Sequence, residues 1–80
     1  MFIKYKNNIH NICKYKSIIK SGELQILLAN DNDDIKLLFE NKAARDYILI
    51  KIWNELTINS NCYDIDDDIA KFYTEQKYNV

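Results

Sequence analysis

The sequence predicts a small α+β domain: a four-stranded antiparallel meander packed on one face by an α-helix and followed by a short C-terminal helix. Three observations lead there. Apolar residues alternate through the first forty positions, the apolar spacing lengthens to about 3.6 residues after Asn41, and Asn, Asp, Ser and the only glycine cluster between the alternating runs. Eighty residues make one domain, 1–80, with a meander over 1–40, a helix over 41–57 and a C-terminal helix over 64–76. A chain of that size buries only about 60 to 65% of its unfolded surface, so there is room for one core.

In the first run Met1, Ile3 and Tyr5 point one way. The second, Ile9 to Lys20, sends Ile9, Cys13, Tyr15 and Ile19 to the same side, although Ile9, Ile12, Cys13 and Ile19 also suit a short helix. Opposed residues share a face, so Tyr5 is expected to pair with Ile9 around a Lys6-Asn7-Asn8 loop, because a two-residue loop would bury Lys6. The third run, Glu23 to Ala29, points Leu24, Ile26 and Leu28 inward. A Ser21-Gly22 loop would then pair Ile19 with Leu24 and bring Lys20 beside Glu23. After the polar Asn30-Asp31-Asn32-Asp33 turn, Ile35, Leu37 and Phe39 face inward, opposite Leu28, Ile26 and Leu24.

Asn41 is placed to cap a helix from Lys42 to Thr57, on which Ile48, Leu49, Ile52, Trp53 and Leu56 form one stripe for the sheet. A narrower stripe of Ala43, Tyr47 and Ile50 lies roughly opposite and needs a neighbour. One is available in a C-terminal helix over 65–76, amphipathic through Ile65, Ile69, Phe72 and Tyr73 and capped by Asp64. If that helix docks elsewhere, Tyr47 and Ile50 are left for a partner protein or a homodimer contact.

Charge is divided along the chain. Through residue 22 there are five lysines and no acid, while the remaining 58 residues carry all twelve acids against six basic side chains, so a net charge of -1 conceals a basic segment and an acidic one. On the expected parity Lys4, Lys6, Lys14, Lys16 and Lys20 share the outer sheet face with His10, Phe2, Ile12, Ile18, Leu27 and Leu38. Such a face serves solubility, a protein partner or a phosphate backbone. Against nucleic acid, only Phe2 offers an aromatic platform there. Edge lysines also oppose sheet-to-sheet aggregation.

No pattern for catalysis stands out. One glycine rules out a glycine-rich phosphate loop, no serine lies in a nucleophile elbow, and His10 lacks a nearby acid or cysteine in sequence. Asp64, Asp66, Asp68 and Glu75 match positions 1, 3, 5 and 12 of a calcium loop, but Ile69 replaces the glycine required at the sixth position and Lys71 the apolar residue at the eighth. An acidic first helical turn set against the helix dipole accounts for these aspartates without a metal. Asp31, Asp33 and Asp34 fit turn chemistry. No metal site, catalytic residue or cofactor is expected, and the chain reads as a non-enzyme.

Cys13 and Cys62 have no metal-ligand spacing and stay thiols in a reducing compartment. The longest apolar run, Tyr47 to Ile50, is far short of the roughly 20 residues that span a bilayer, and Met1 to Lys4 alternates unlike a signal peptide, so a cytoplasmic location is expected. Ile, Asn, Lys and Tyr supply 39 of the 80 residues, all with codons that begin with two A or T bases, which indicates a low-GC bacterium or its mobile elements.

The order of a strand meander, then the helix Asn41-Lys42-Ala43-Ala44-Arg45-Asp46-Tyr47, then the acidic Tyr63-Asp64-Ile65-Asp66-Asp67-Asp68 segment, resembles the small sheet-plus-helix proteins of phages and other mobile elements, among them some anti-CRISPR inhibitors. The resemblance is architectural and spans most of the chain. It implies a non-enzymatic protein that occupies a partner's surface, with Asp64, Asp66, Asp67 and Asp68 placed to imitate nucleic-acid phosphates. The basic first strands depart from a wholly acidic mimic. The expected function is therefore protein binding, as an inhibitor or adaptor, with nucleic-acid binding through the outer lysines as the alternative.

Overall fold

Two three-stranded sheets take the place of the single meander. A computed structural model describes residues 1–78 and shows β1 (Phe2–Tyr5), β2 (Asn8–Asn11), a 3-10 turn (Ile12–Lys14), β3 (Ser17–Ser21), β4 (Gln25–Ala29), β5 (Ile35–Leu38), α1 (Lys42–Thr57), β6 (Cys62–Asp64) and α2 (Ile65–Tyr78). The first sheet has the order β2-β1-β6 and the second β3-β4-β5.

The division arises at Asn11. Its side-chain carbonyl accepts the amide of Cys13 at 3.2 Å and starts the single 3-10 turn. Asparagine favours such local bonds over a strand ladder. The turn drops Ile12 into the core and reverses the facing of β3, so Ile18 and Lys20 lie opposite Leu28 and Ile26 while Ile19 pairs with Leu27 on the outer side. The expected pairing of Ile19 with Leu24 is thereby lost. Ser21 opposes Gln25, which makes the loop three residues long, with Gly22 at φ +56.

The first hairpin also differs. Lys6 and Asn7 form a two-residue turn with φ of 49 and 63, the left-handed pair whose twist suits a hairpin. Tyr5 therefore opposes Asn8, not Ile9. Lys6 escapes burial because it lies in the turn itself. Ile9 falls opposite Lys4 and is 72% exposed, whereas His10, expected outside beside Lys4, opposes Ile3 and is half-buried.

Where alternation is unbroken the register follows it. Ile26 opposes Leu37 and Leu28 opposes Ile35, and the Phe39 amide donates to the Leu24 carbonyl at 2.9 Å. Helix α1 has the expected bounds, with the Asn41 side-chain oxygen accepting the amide of Ala44 at 2.8 Å. Ile48 and Ile52 are buried against the sheets, each contributing about 1.5 to 3 kcal/mol. Trp53, expected in that stripe, is 69% exposed. The buried face is rotated away from it, centred on Ala44, Ile48 and Ile52 with Arg45 alongside.

Strand β6 has no counterpart in the expected fold. It runs parallel to β1 with Ile3 opposite Tyr63, and it delivers the chain directly into α2, whose first turn is capped by Asp64 Oδ1 accepting the Asp67 amide at 3.0 Å. Helix α2 docks through Ile65, which is fully buried, and through Phe72, whose ring stacks on Tyr47 at 5.0 Å. Tyr47 thus has its neighbour; Ala43 and Ile50 remain exposed. Tyr5 joins the two sheets, its hydroxyl donating to the Leu38 carbonyl at 3.0 Å and accepting the Leu38 amide at 2.8 Å. Among the described residues no helix is long and apolar enough to cross a membrane.

Candidate functional site

The five lysines of the first segment do not form one face. Lys4 stands opposite Ile9 on the outside of the first sheet and approaches Asp64 at 3.8 Å. Lys6 lies over the Tyr5 ring, 5.4 Å from its centroid. Lys16 pairs with Asp31, and Lys20, opposite Ile26 in the second sheet, reaches Asp46 of α1 at 3.1 Å. Lys14 sits in the 3-10 turn with neither an ion pair nor a ring contact among the described residues. The parity reversal at Asn11 and the second sheet scatter what alternation alone had gathered.

The acids of the second segment meet the chain's own donors. Both oxygens of Asp66 accept backbone amides, Oδ1 from Lys6 at 2.7 Å and Oδ2 from Asn7 at 3.1 Å. Successive left-handed residues turn their N–H groups to one side and make a small anion-binding concavity, which this carboxylate fills. Asp67 pairs with Lys71 at 2.9 Å, one helical turn on, and the hydrogen bond holds the Lys71 ammonium above its usual range. Asp68 accepts the Tyr63 hydroxyl at 2.7 Å and lies 3.9 Å from Lys51. Burial first, and then that bond, push the Tyr63 phenol well above its ordinary pKa. Three of the four calcium-spaced acids, Asp64, Asp66 and Asp68, thus have separate roles within the chain, and the helix continues unbroken from Ile65 through the remaining loop positions. Among the described residues no three His, Cys, Asp or Glu side chains converge to hold a metal.

One buried ion was not anticipated. Arg45 is 1% exposed and donates through Nη1 to the carbonyls of Gly22 at 3.1 Å and Gln25 at 3.2 Å, and through Nε to Asp46 at 2.7 Å. A guanidinium meets several acceptors from one buried position, as an ammonium cannot. The Arg45 hydrogen bond, followed by that from Lys20, holds the Asp46 carboxyl below its ordinary pKa of 3.8. The signal in the chain was slight: a lone arginine among ten lysines, four residues past the cap.

The outward apolar residues lie elsewhere. Ile50, Trp53 and Ile58 are 60%, 69% and 71% exposed. Ile50 and Trp53 are three apart on α1 and so are neighbours on its outer face, which continues through uncharged Asn54 and Thr57 to Ile58. Trp53 also walls a groove of about 390 Å³ lined by Ile12, Tyr15, Ile18 and Leu56, with Cys13, Lys16 and Ser17. Cys13 and Cys62 are exposed free thiols, and the Met1 amine donates to Cys13 Sγ at 3.3 Å. Of the residues expected at a partner-binding surface, Ile50 lies on this face and Lys16 lines the groove beside Trp53. Comparison of the chain with family models, with curated proteins and with solved structures returns no match.

Proposed function

We propose that the chain is a non-catalytic protein-binding module of the kind used by phages and mobile elements as inhibitors or adaptors, and that it acts in a reducing cytoplasm through the outer face of α1. What supports this is the exposure of Ile50, Trp53 and Ile58 on neighbouring positions at the outer side of α1 and its C-terminal end. A buried tryptophan flanked by aliphatic residues is the usual energetic centre of a protein interface. Four of the five N-terminal lysines and all four helix-start aspartates already have partners within the chain, so neither phosphate mimicry nor a basic sheet face is needed to explain them.

Nucleic-acid binding is the second reading, favoured by one observation: Lys16 and Tyr15 line the same groove as Trp53, placing a cation beside a ring on which a base could stack. Salt separates the two. Capture from a lysate of the native host, with the wild-type chain and the Ile50→Ser/Trp53→Ala variant side by side, is expected to recover a protein that is retained at high salt and lost with the variant. Recovery of nucleic acid that disappears steeply with salt would favour the second reading. Recovery of the chain alone, with sedimentation as a dimer, would make the partner a second copy.

A further inference from the structure

A second cleft, independent of the α1 face, lies where the first hairpin, the β4–β5 edge and α2 meet. It encloses about 530 Å³, within the usual range for small-ligand sites. Its walls carry the rings of Tyr5, Phe39 and Tyr73, the carboxylates of Glu40 and Asp66, and Lys6. Tyr5 and Phe39 stand with ring centroids 6.3 Å apart and tilted by 49°, which leaves π-faces at an angle to each other.

Two polar groups of the walls are already satisfied. The Tyr5 hydroxyl is held on both sides by the Leu38 backbone, and Asp66 accepts two turn amides while keeping its negative charge. These two groups therefore lose no partner when the apolar body of a ligand displaces water over them. Leu24 and Leu38 extend the apolar wall yet are 37% and 49% exposed, surface that such a ligand would cover. Two carboxylates outnumber one ammonium, and that ammonium rests over the Tyr5 ring at 5.4 Å, where the chain supplies its own cation to an aromatic face.

The geometry points to a binding site for a small organic cation with an apolar body, held by the aromatic walls and by Glu40 and Asp66, with Lys6 as its internal competitor. The sign of the Lys6 effect distinguishes this from a site for an anionic amphiphile, which would need Lys6.

The probes are 3-phenylpropylammonium, 3-phenylpropanol and 3-phenylpropionate, titrated into the full chain and followed by amide chemical shifts. The ammonium should bind most tightly and the carboxylate least, with shifts at Lys6, Leu24, Glu40 and Ile69. Glu40→Gln should weaken the ammonium about two- to five-fold, the range for one exposed charge pair, and Lys6→Asn, which keeps a residue tolerant of the left-handed turn, should strengthen it by a similar factor. Leu24→Arg should abolish binding, and Trp53→Ala should leave it unchanged. If Leu24→Arg fails to fold, the opposite signs at Glu40 and Lys6 still decide. No saturable binding, equal or tighter binding of the alcohol or carboxylate, weakening by Lys6→Asn, or shifts confined to the Trp53 groove would each overturn the assignment.

Discussion

Replacing Arg45 by methionine removes a buried cation while leaving its acceptors in place. Lost are donations to the Gly22 and Gln25 carbonyls and to Asp46. Hydrogen bonds to a charged group contribute about 1.5 to 3 kcal/mol each, so the gross loss for the three is about 4.5 to 9 kcal/mol. Water offsets part of it, because the Asp46 side chain is 36% exposed and still has Lys20 at 3.1 Å, and Gly22 lies in an exposed loop. Methionine also fills most of the volume with apolar atoms, which favours folding. The net cost should be about 2 to 3 kcal/mol. With an unfolding entropy of about 2.1 cal/mol/K per residue over the 80 residues, that lowers Tm by roughly 12 to 18 °C. Thermal unfolding at pH 7 by circular dichroism measures it. Arg45→Lys should fall between the two, since an ammonium keeps the charge but not the fork. A drop under about 3 °C, or a rise, would show that the hairpin does not depend on this ion and refute the reasoning.

Asp66→Ala leaves the Lys6 and Asn7 amides without their carboxylate and should cost about 1 to 2 kcal/mol, seen as a lower urea midpoint with unchanged slope and as faster hydrogen exchange at those two amides. The Tyr63 phenol, raised by burial and by Asp68, stays protonated in the folded chain after the unfolded chain has begun to ionise near pH 10. Its contribution is complete below that pH and is lost above it by about 1.4 kcal/mol per pH unit, a slope that Tyr63→Phe should remove on top of a cost of about 1 to 2 kcal/mol at pH 7. At the acid end the depressed Asp46 carboxyl stabilises the fold above its ordinary pKa of 3.8, and this is lost as pH falls below that value; Arg45→Met should flatten the acid limb of the stability curve.

How much of this was legible from sequence depends on the segment. The β4–β5 register and the bounds of α1 could be read because Ile26, Leu28, Ile35 and Leu37 alternate without interruption and Asn41 marks a helix start. The second run could not. It has isoleucines of both parities, Ile9 and Ile19 against Ile12 and Ile18, so alternation supports either face and cannot reveal the local bond at Asn11 that changes from one to the other. That single reversal dispersed the expected basic surface. Strand β6 has three residues and gains its meaning only from pairing with β1, some sixty positions earlier. Arg45 is similarly silent, since the carbonyls it holds lie 20 and 23 residues away. The charge division itself was visible, but its use was not: Lys4 with Asp64, and the Lys6-Asn7 turn with Asp66, draw the basic start of the chain onto its acidic end.

With those charges paired internally, the proposed recognition surface is the open apolar face around Trp53, the only tryptophan. Its fluorescence tests that directly. In the free chain the emission should be that of a water-exposed indole, independent of protein concentration and readily quenched by acrylamide, and it should shift to shorter wavelength and lose that quenching when the captured partner is added to saturation. An unchanged spectrum in the saturated complex would contradict the account.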